Sequence, residues 1–128
     1  MTSTDKTRTA LAVLGKPDKN FAYHMGALSI PYLALSFREM DLLESIPLEA
    51  PAGLDDEDLS DFLREKRERE SAAAYHLLCR RLGDRAPQSQ EEVHEILNAD
   101  LVWEWFRSLW AGEKGEAVGT PAEPQPNG

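Results

Sequence analysis

From Leu101 to Trp110 the chain is apolar at every position except Glu104, Arg107 and Ser108, and all three of its tryptophans fall here. Helical spacing sets Leu101, Val102, Trp105 and Leu109 on one side. It sets Trp103, Phe106 and Trp110 on another. A helix apolar most of the way round must be covered on several faces. Asp100 is placed to cap this helix and Gly112 to end it. A different period governs residues 21–33. Phe21, Tyr23 and Met25 alternate with Ala22 and His24, and Leu28, Ile30 and Tyr32 alternate again after Gly26, which predicts a β-hairpin turning at that glycine. Pro31 cannot donate to a ladder, so its strand is an edge or ends there. A lone hairpin is marginal in water and has to pack on helices.

Capping signals place the remaining helices. Ser36 with Glu39 forms a capping-box pattern and opens a short helix to about Ser45, with Phe37, Met40 and Leu43 facing inward. Pro47 and the Pro51-Ala52-Gly53 segment interrupt the chain, and Leu48 is expected to pin this loop to the core. Asp55 or Asp56 then caps a long helix reaching Leu82. Its first turn is acidic and its last carries Arg80 and Arg81, matching the macrodipole, and Gly83 suits the position just past the end. Its apolar stripe, Leu59, Phe62 and Leu63, then Ala73, Ala74, Leu77, Leu78 and Leu82, is broken by Arg64–Glu70. That segment is charged on every face and is expected to be solvated, with pairs such as Glu65–Arg69 worth about 0.3 kcal/mol each. Ser89 with Glu92 starts a further short helix, with Val93, Ile96 and Leu97 inward. Thr9–Leu14 fits a short strand or one helical turn equally, and residues 15–20 have the Gly, Pro and Asn content of a loop.

The predicted architecture is therefore α+β and mostly helical. A small N-terminal hairpin packs on four or so helices, one of them long and partly solvated. Residues 1–8 form a flexible N-terminus, 9–112 a single domain, and 113–128 an acidic, Pro-rich disordered tail.

Composition narrows the classes of function. The chain has 128 residues, enough for one modest core. Its net charge of −9 disfavours non-specific nucleic-acid binding and anionic membrane surfaces. It suits solubility and basic protein partners. A single cysteine, Cys79, excludes an intramolecular disulfide and fits a reducing cytoplasm. No apolar run approaches a membrane span.

Little in the chain carries catalytic chemistry. His76 and Cys79 lie three apart on a helix but lack the second ligand pair of a zinc site. The Asp55–Asp58 run lacks the spaced oxygens and central glycine of a calcium loop and reads as a helix N-terminus. No nucleophile elbow or phosphate-cradling loop is present. The expectation is a non-enzymatic chain needing no cofactor and no metal. The tryptophan helix is either the hub of the core or, in part, a surface that meets a partner, because aromatic side chains dominate interface hot spots. The partner-binding residues expected on this basis are Trp103, Phe106 and Trp110 together with Tyr23, Met25 and Tyr32 of the hairpin. These would form an apolar groove for an amphipathic helix, and the same apolar surface predicts weak self-association into a homo-oligomer.

The stretch Phe21-Ala22-Tyr23-His24-Met25-Gly26, continued through Leu35-Ser36-Phe37-Arg38-Glu39-Met40-Asp41-Leu42-Leu43, resembles the tail assembly chaperones of long-tailed bacteriophages. In that family a short hairpin turning near a glycine leads into a capped helix, in small, acidic, mostly helical proteins with disordered tails. The likeness covers the N-terminal third and the general organisation. It implies a protein that holds a tape-measure protein soluble, recruits tail-tube subunits, and works in the cytoplasm of a host cell. It transfers no functional residue. A second expectation, of a different class, is an acidic regulator that mimics phosphate charge to bind a basic DNA-binding protein. It rests on the net charge and on the acidic clusters at 55–58 and 91–95.

Overall fold

The computed structural model describes residues 3–118. Met1, Thr2 and the expected tail from residue 119 lie outside the described residues. Within them, the chain runs α1 (Ser3–Leu14), β1 (Asp18–Met25), β2 (Leu28–Tyr32), α2 (Phe37–Glu44), α3 (Asp56–Leu82), a 3₁₀ turn (Gly83–Arg85), α4 (Gln90–Ile96), α5 (Ala99–Trp110) and β3 (Glu116–Ala117). The class is α+β and mostly helical, as the periodicities predict.

The hairpin turns at Gly26, whose φ of +64° is open to glycine at little cost. Its register pairs Met25 with Leu28 and Tyr23 with Ile30. Strand order is β2-β1-β3, so Pro31 sits on an edge strand as its missing N–H requires. Two features of the sheet depart from expectation. β1 begins at Asp18, inside the segment read as a loop. Glu116 and Ala117, assigned to the disordered tail, pair with Ala22 and Phe21 as β3. Such a short strand carries almost no hydrophobic signal; it forms because it adds to an edge already built. Gly115 permits the approach, with φ of +89° and a position where a Cβ would lie 2.3 Å from the Ala22 carbonyl oxygen.

The caps are largely those expected. Ser36 and Glu39 complete a reciprocal capping box, Asp55 caps α3 and Gly83 ends it, and Ser89 accepts from the Glu92 N–H. For α5 the cap is Asn98 rather than Asp100; its side chain accepts from the Asp100 N–H, and the helix begins two residues earlier than read. At the N-terminus, helix α1 starts at Ser3, where a flexible segment was expected up to residue 8.

One cluster of buried side chains joins the elements: Met25 and Ile30 of the sheet, Leu43 and Ile46, Ala73, Ala74, Leu77, Leu78 and Leu82 of α3, Val93 of α4, and Val102, Trp105, Phe106 and Leu109 of α5. Burying each large aliphatic or phenyl side chain contributes on the order of 1.5–3 kcal/mol. Several residues expected inward face solvent instead. Phe37 is 88 % exposed, and Leu59, Leu63, Ile96 and Leu48 are also exposed, while Phe62 in the first half of α3 is half-buried.

The inward place on α2 that Phe37 leaves is taken by Glu39, fully buried between two arginines. Its Oε1 lies 2.6 Å from Arg80 Nη1 and its Oε2 2.7 Å from Arg81 Nη1. Arg81, buried as well, donates from Nη1 to the Leu77 carbonyl and from Nη2 to the Leu33 carbonyl. Its guanidinium lies 5.9 Å from the Trp105 ring centre. The capping residue of α2 is thereby tied to the end of α3, the exit from β2 and the face of α5. Burial, the largest single influence on Glu39, pushes its carboxyl up. The Arg81 hydrogen bonds, the Ser36 N–H, the Arg81 charge and Arg80 together outweigh it and hold the carboxyl below its ordinary value.

Candidate partner-binding site

Helix α5 divides its aromatics by depth. Trp105 and Phe106 are each 1 % exposed and Trp110 is 53 % exposed, with Trp103 between them, half-buried against the core. Trp103, Phe106 and Trp110 do come together, as their shared helix face predicts. They meet Leu43, Glu44, Ile46 and Leu48 from α2 and the loop after it, and with Arg107 and Ala111 they line an open depression of about 460 Å³. Phe106 forms its floor. Trp110 and Leu48 stand exposed at the rim, while Glu44 and Arg107 supply charge at the edge.

The hairpin residues expected in the same groove are elsewhere. Met25 is buried in the core. Tyr23 packs against the opposite side of α5 beside Glu104 and Ser108. There burial raises its phenol above the ordinary value, with Glu104 adding to the rise and Arg107 opposing it. Tyr32 lies below the Lys114 ammonium, 5.9 Å from its ring centre, and Phe21 below the same ammonium at 5.0 Å. The reason is that the sheet covers one flank of α5 and the α2 loop borders the other, so no single groove can collect both sets.

Trp103 is held in place rather than free to adapt. Its indole N–H donates to Glu70 Oε2, and Lys66 Nζ sits 2.7 Å from that oxygen and 5.4 Å from the Trp103 ring centre. Its ring meets Phe106 edge to face, at 5.4 Å between centroids and 77° between planes, the arrangement aromatic quadrupoles favour. Glu70 is therefore buried, against the expectation that all of Arg64–Glu70 is solvated. Lys66 is half-buried with it, while Arg64, Glu65, Arg67, Glu68 and Arg69 are solvated as read, with Arg69 Nη2 2.9 Å from Glu65 Oε1. A wall fixed before binding loses less entropy when a partner arrives.

Elsewhere the polar groups hold the fold together. Ser71 donates to the Glu68 carbonyl and lies 3.2 Å from His94 Nδ1, tying α4 to α3. The acidic cluster at 55–58 falls at the N-terminus of α3; of the cluster at 91–95, Glu91 and Glu92 lie in the first turn of α4 and Glu95 near its end. Among the described residues no group of three or more His, Cys, Asp and Glu is gathered as for a metal ion, and no helix is long and apolar enough to cross a membrane.

Sequence reasoning missed Leu43, Ile46 and Leu48 as partners of the tryptophans. The only local signal was Ile46-Pro47-Leu48, an apolar pair across a proline in a loop. It missed Glu39 as well, because a capping box already accounts for a glutamate there. No protein-family model, curated protein or solved structure matches the chain.

Proposed function

We propose that the chain is a non-enzymatic, protein-binding adaptor or assembly chaperone. In this reading the depression between α5 and the α2 loop receives one face of an amphipathic helix from a client protein. The observation that carries it is the convergence of Trp103, Phe106 and Trp110 with Leu43, Ile46 and Leu48 on one open, predominantly apolar hollow. Buried aromatic anchors in a preformed hollow are the residues that dominate binding energy. The net charge of −9 supports the reading from another side, since it keeps a complex with an apolar client in solution and favours a client helix with basic flanks.

The resemblance to tail assembly chaperones gives this client a specific form. It would be a tape-measure protein, long and helical, with tail-tube subunits as the second partner, met in the cytoplasm of a bacterial host. The free Cys79 thiol accords with that compartment.

A photo-crosslinking residue placed at Leu48, in cells carrying the native gene neighbourhood, tests both levels. The expected product is a long, predominantly helical protein, and Trp110→Ala reduces its capture while the chain stays folded. Equal capture by Trp110→Ala and by the unaltered chain overturns the hollow as the binding site. Capture of a basic DNA-binding protein, lost steeply with added salt, would favour charge mimicry instead.

A further inference from the structure

Helix α1 lacks what every other helix of eight residues or more in the described chain has, a buried face. Each of its residues from Asp5 to Leu14 is exposed, including Leu11, Val13 and Leu14, the last at 74 %. Helical spacing nonetheless gives it an apolar stripe through Ala10, Leu11 and Leu14, extended by the Thr7 methyl. By the same spacing Lys6 and Arg8 flank that stripe on its two sides, and Asp5 falls on the opposite face. An exposed stripe and an exposed apolar hollow on one chain are complementary in three respects. Both are aliphatic or aromatic. Both are about 10 Å long, since Thr7–Leu14 and Trp103–Trp110 are each eight residues of helix, separated end to end by seven rises of about 1.5 Å. Their charges are opposite in sense overall: Lys6, Arg8, Lys16 and Lys19 outnumber Asp5 and Asp18 in this segment of a chain whose net charge is −9, while at the hollow itself Glu44 is balanced by Arg107.

The connection from α1 to β1 argues against the helix reaching its own hollow. The Gly15 and Lys16 N–H groups donate back to the Leu11 and Val13 carbonyls, at 3.0 and 3.1 Å. Pro17 has a fixed φ and restricts Lys16 before it to extended backbone. Such a short, stiff connection holds a helix away from the body that follows it, and short hinges of this kind favour exchange between copies.

We infer that α1 of one copy docks in the Trp103–Trp110 hollow of a second copy, and that the second copy returns its own α1, closing a two-fold dimer. Reciprocal exchange doubles the buried apolar area and leaves no open end to propagate. The dimer goes beyond the client reading and does not rest on it, yet it uses the same surface. A client helix therefore competes with α1, and the dimer is the resting form of the chain, which opens when client arrives.

Sedimentation velocity of the full chain over rising concentration tests this. The expected result is a monomer–dimer equilibrium. Leu11→Glu with Leu14→Glu, both exposed and so neutral to folding by circular dichroism, weakens it by about tenfold or more. Trp110→Glu does the same, and mixing the two variants restores association through the one remaining intact contact. A monomer at every concentration, an open-ended ladder of species, or variants that dimerise like the parent overturns the proposal. Monomer with Trp110 fluorescence already shielded identifies self-docking and overturns it equally. Crosslinking at Leu48 in the Leu11→Glu, Leu14→Glu chain separates the two proposals: a client still captured there leaves the client reading standing whatever the dimer result.

Discussion

Trp105 and Trp110 lie five residues apart on one helix, and one is sealed while the other is half in water. Trp105 faces the Arg81 guanidinium and the sheet-covered side of α5. Trp110 faces the α2 loop, where Leu48 stands off and leaves a hollow. Identical side chains on one helix thus serve two ends, cohesion and contact. The difference lies in what the neighbouring elements bring: α3 presents an arginine already neutralised by Glu39, whereas the loop after Pro47 presents open space. Counting aromatics in a sequence measures the supply of anchoring groups. Which of them are spent inside depends on the surfaces that meet them.

The sharpest way to break this comparison is to truncate the sealed member. Trp105→Ala removes a fully buried indole and the ring under Arg81, and should cost about 3–5 kcal/mol in chemical denaturation. A loss below about 1 kcal/mol would mean that Trp105 is not the hub. The ionic side of the same region is next. Glu39→Gln leaves Arg81 with its charge uncompensated in the interior, a loss of about 3 kcal/mol. Because the folded-state Glu39 carboxyl lies below its unfolded value, its contribution is complete above the ordinary carboxylate range and is lost as pH falls through the folded value. The parent should therefore lose stability on acidification, and Glu39→Gln should lose less of what remains; parallel acid unfolding curves would contradict the pairing.

Gly115→Ala probes the far edge of the sealed region. A Cβ there meets the Ala22 carbonyl in a left-handed backbone conformation, so β3 should detach at a cost of about 1 kcal/mol. The reporter is hydrogen exchange of the Val118 N–H, which donates to the Asn20 carbonyl at 2.8 Å, with the core amides unaffected. The smallest effect on stability belongs to Trp110→Ala, within about 0.5 kcal/mol of the parent, accompanied by the largest effect on partner capture. A variant that destabilised the fold as Trp105→Ala does would erase the distinction between the two tryptophans.

Local signals in the chain sufficed for whatever is local. The period-two run around Gly26, the Ser36–Glu39 and Ser89–Glu92 spacings, the acidic start and glycine stop of α3, and the face shared by Trp103, Phe106 and Trp110 all state geometry within one element, and the structure bears them out. Tertiary packing decided the rest. Phe37 and Ile96 lie outside and Glu39 and Glu70 inside because burial belongs to a place between elements. A glutamate met there by arginines, or by an indole N–H and a lysine, is more stable than its type suggests. Tyr23 and Met25 parted from Trp110 because the sheet and the α2 loop took opposite flanks of α5. Glu116 and Ala117 became a strand only because β1 offered an unpaired edge, and no property of two residues in a polar segment can announce that.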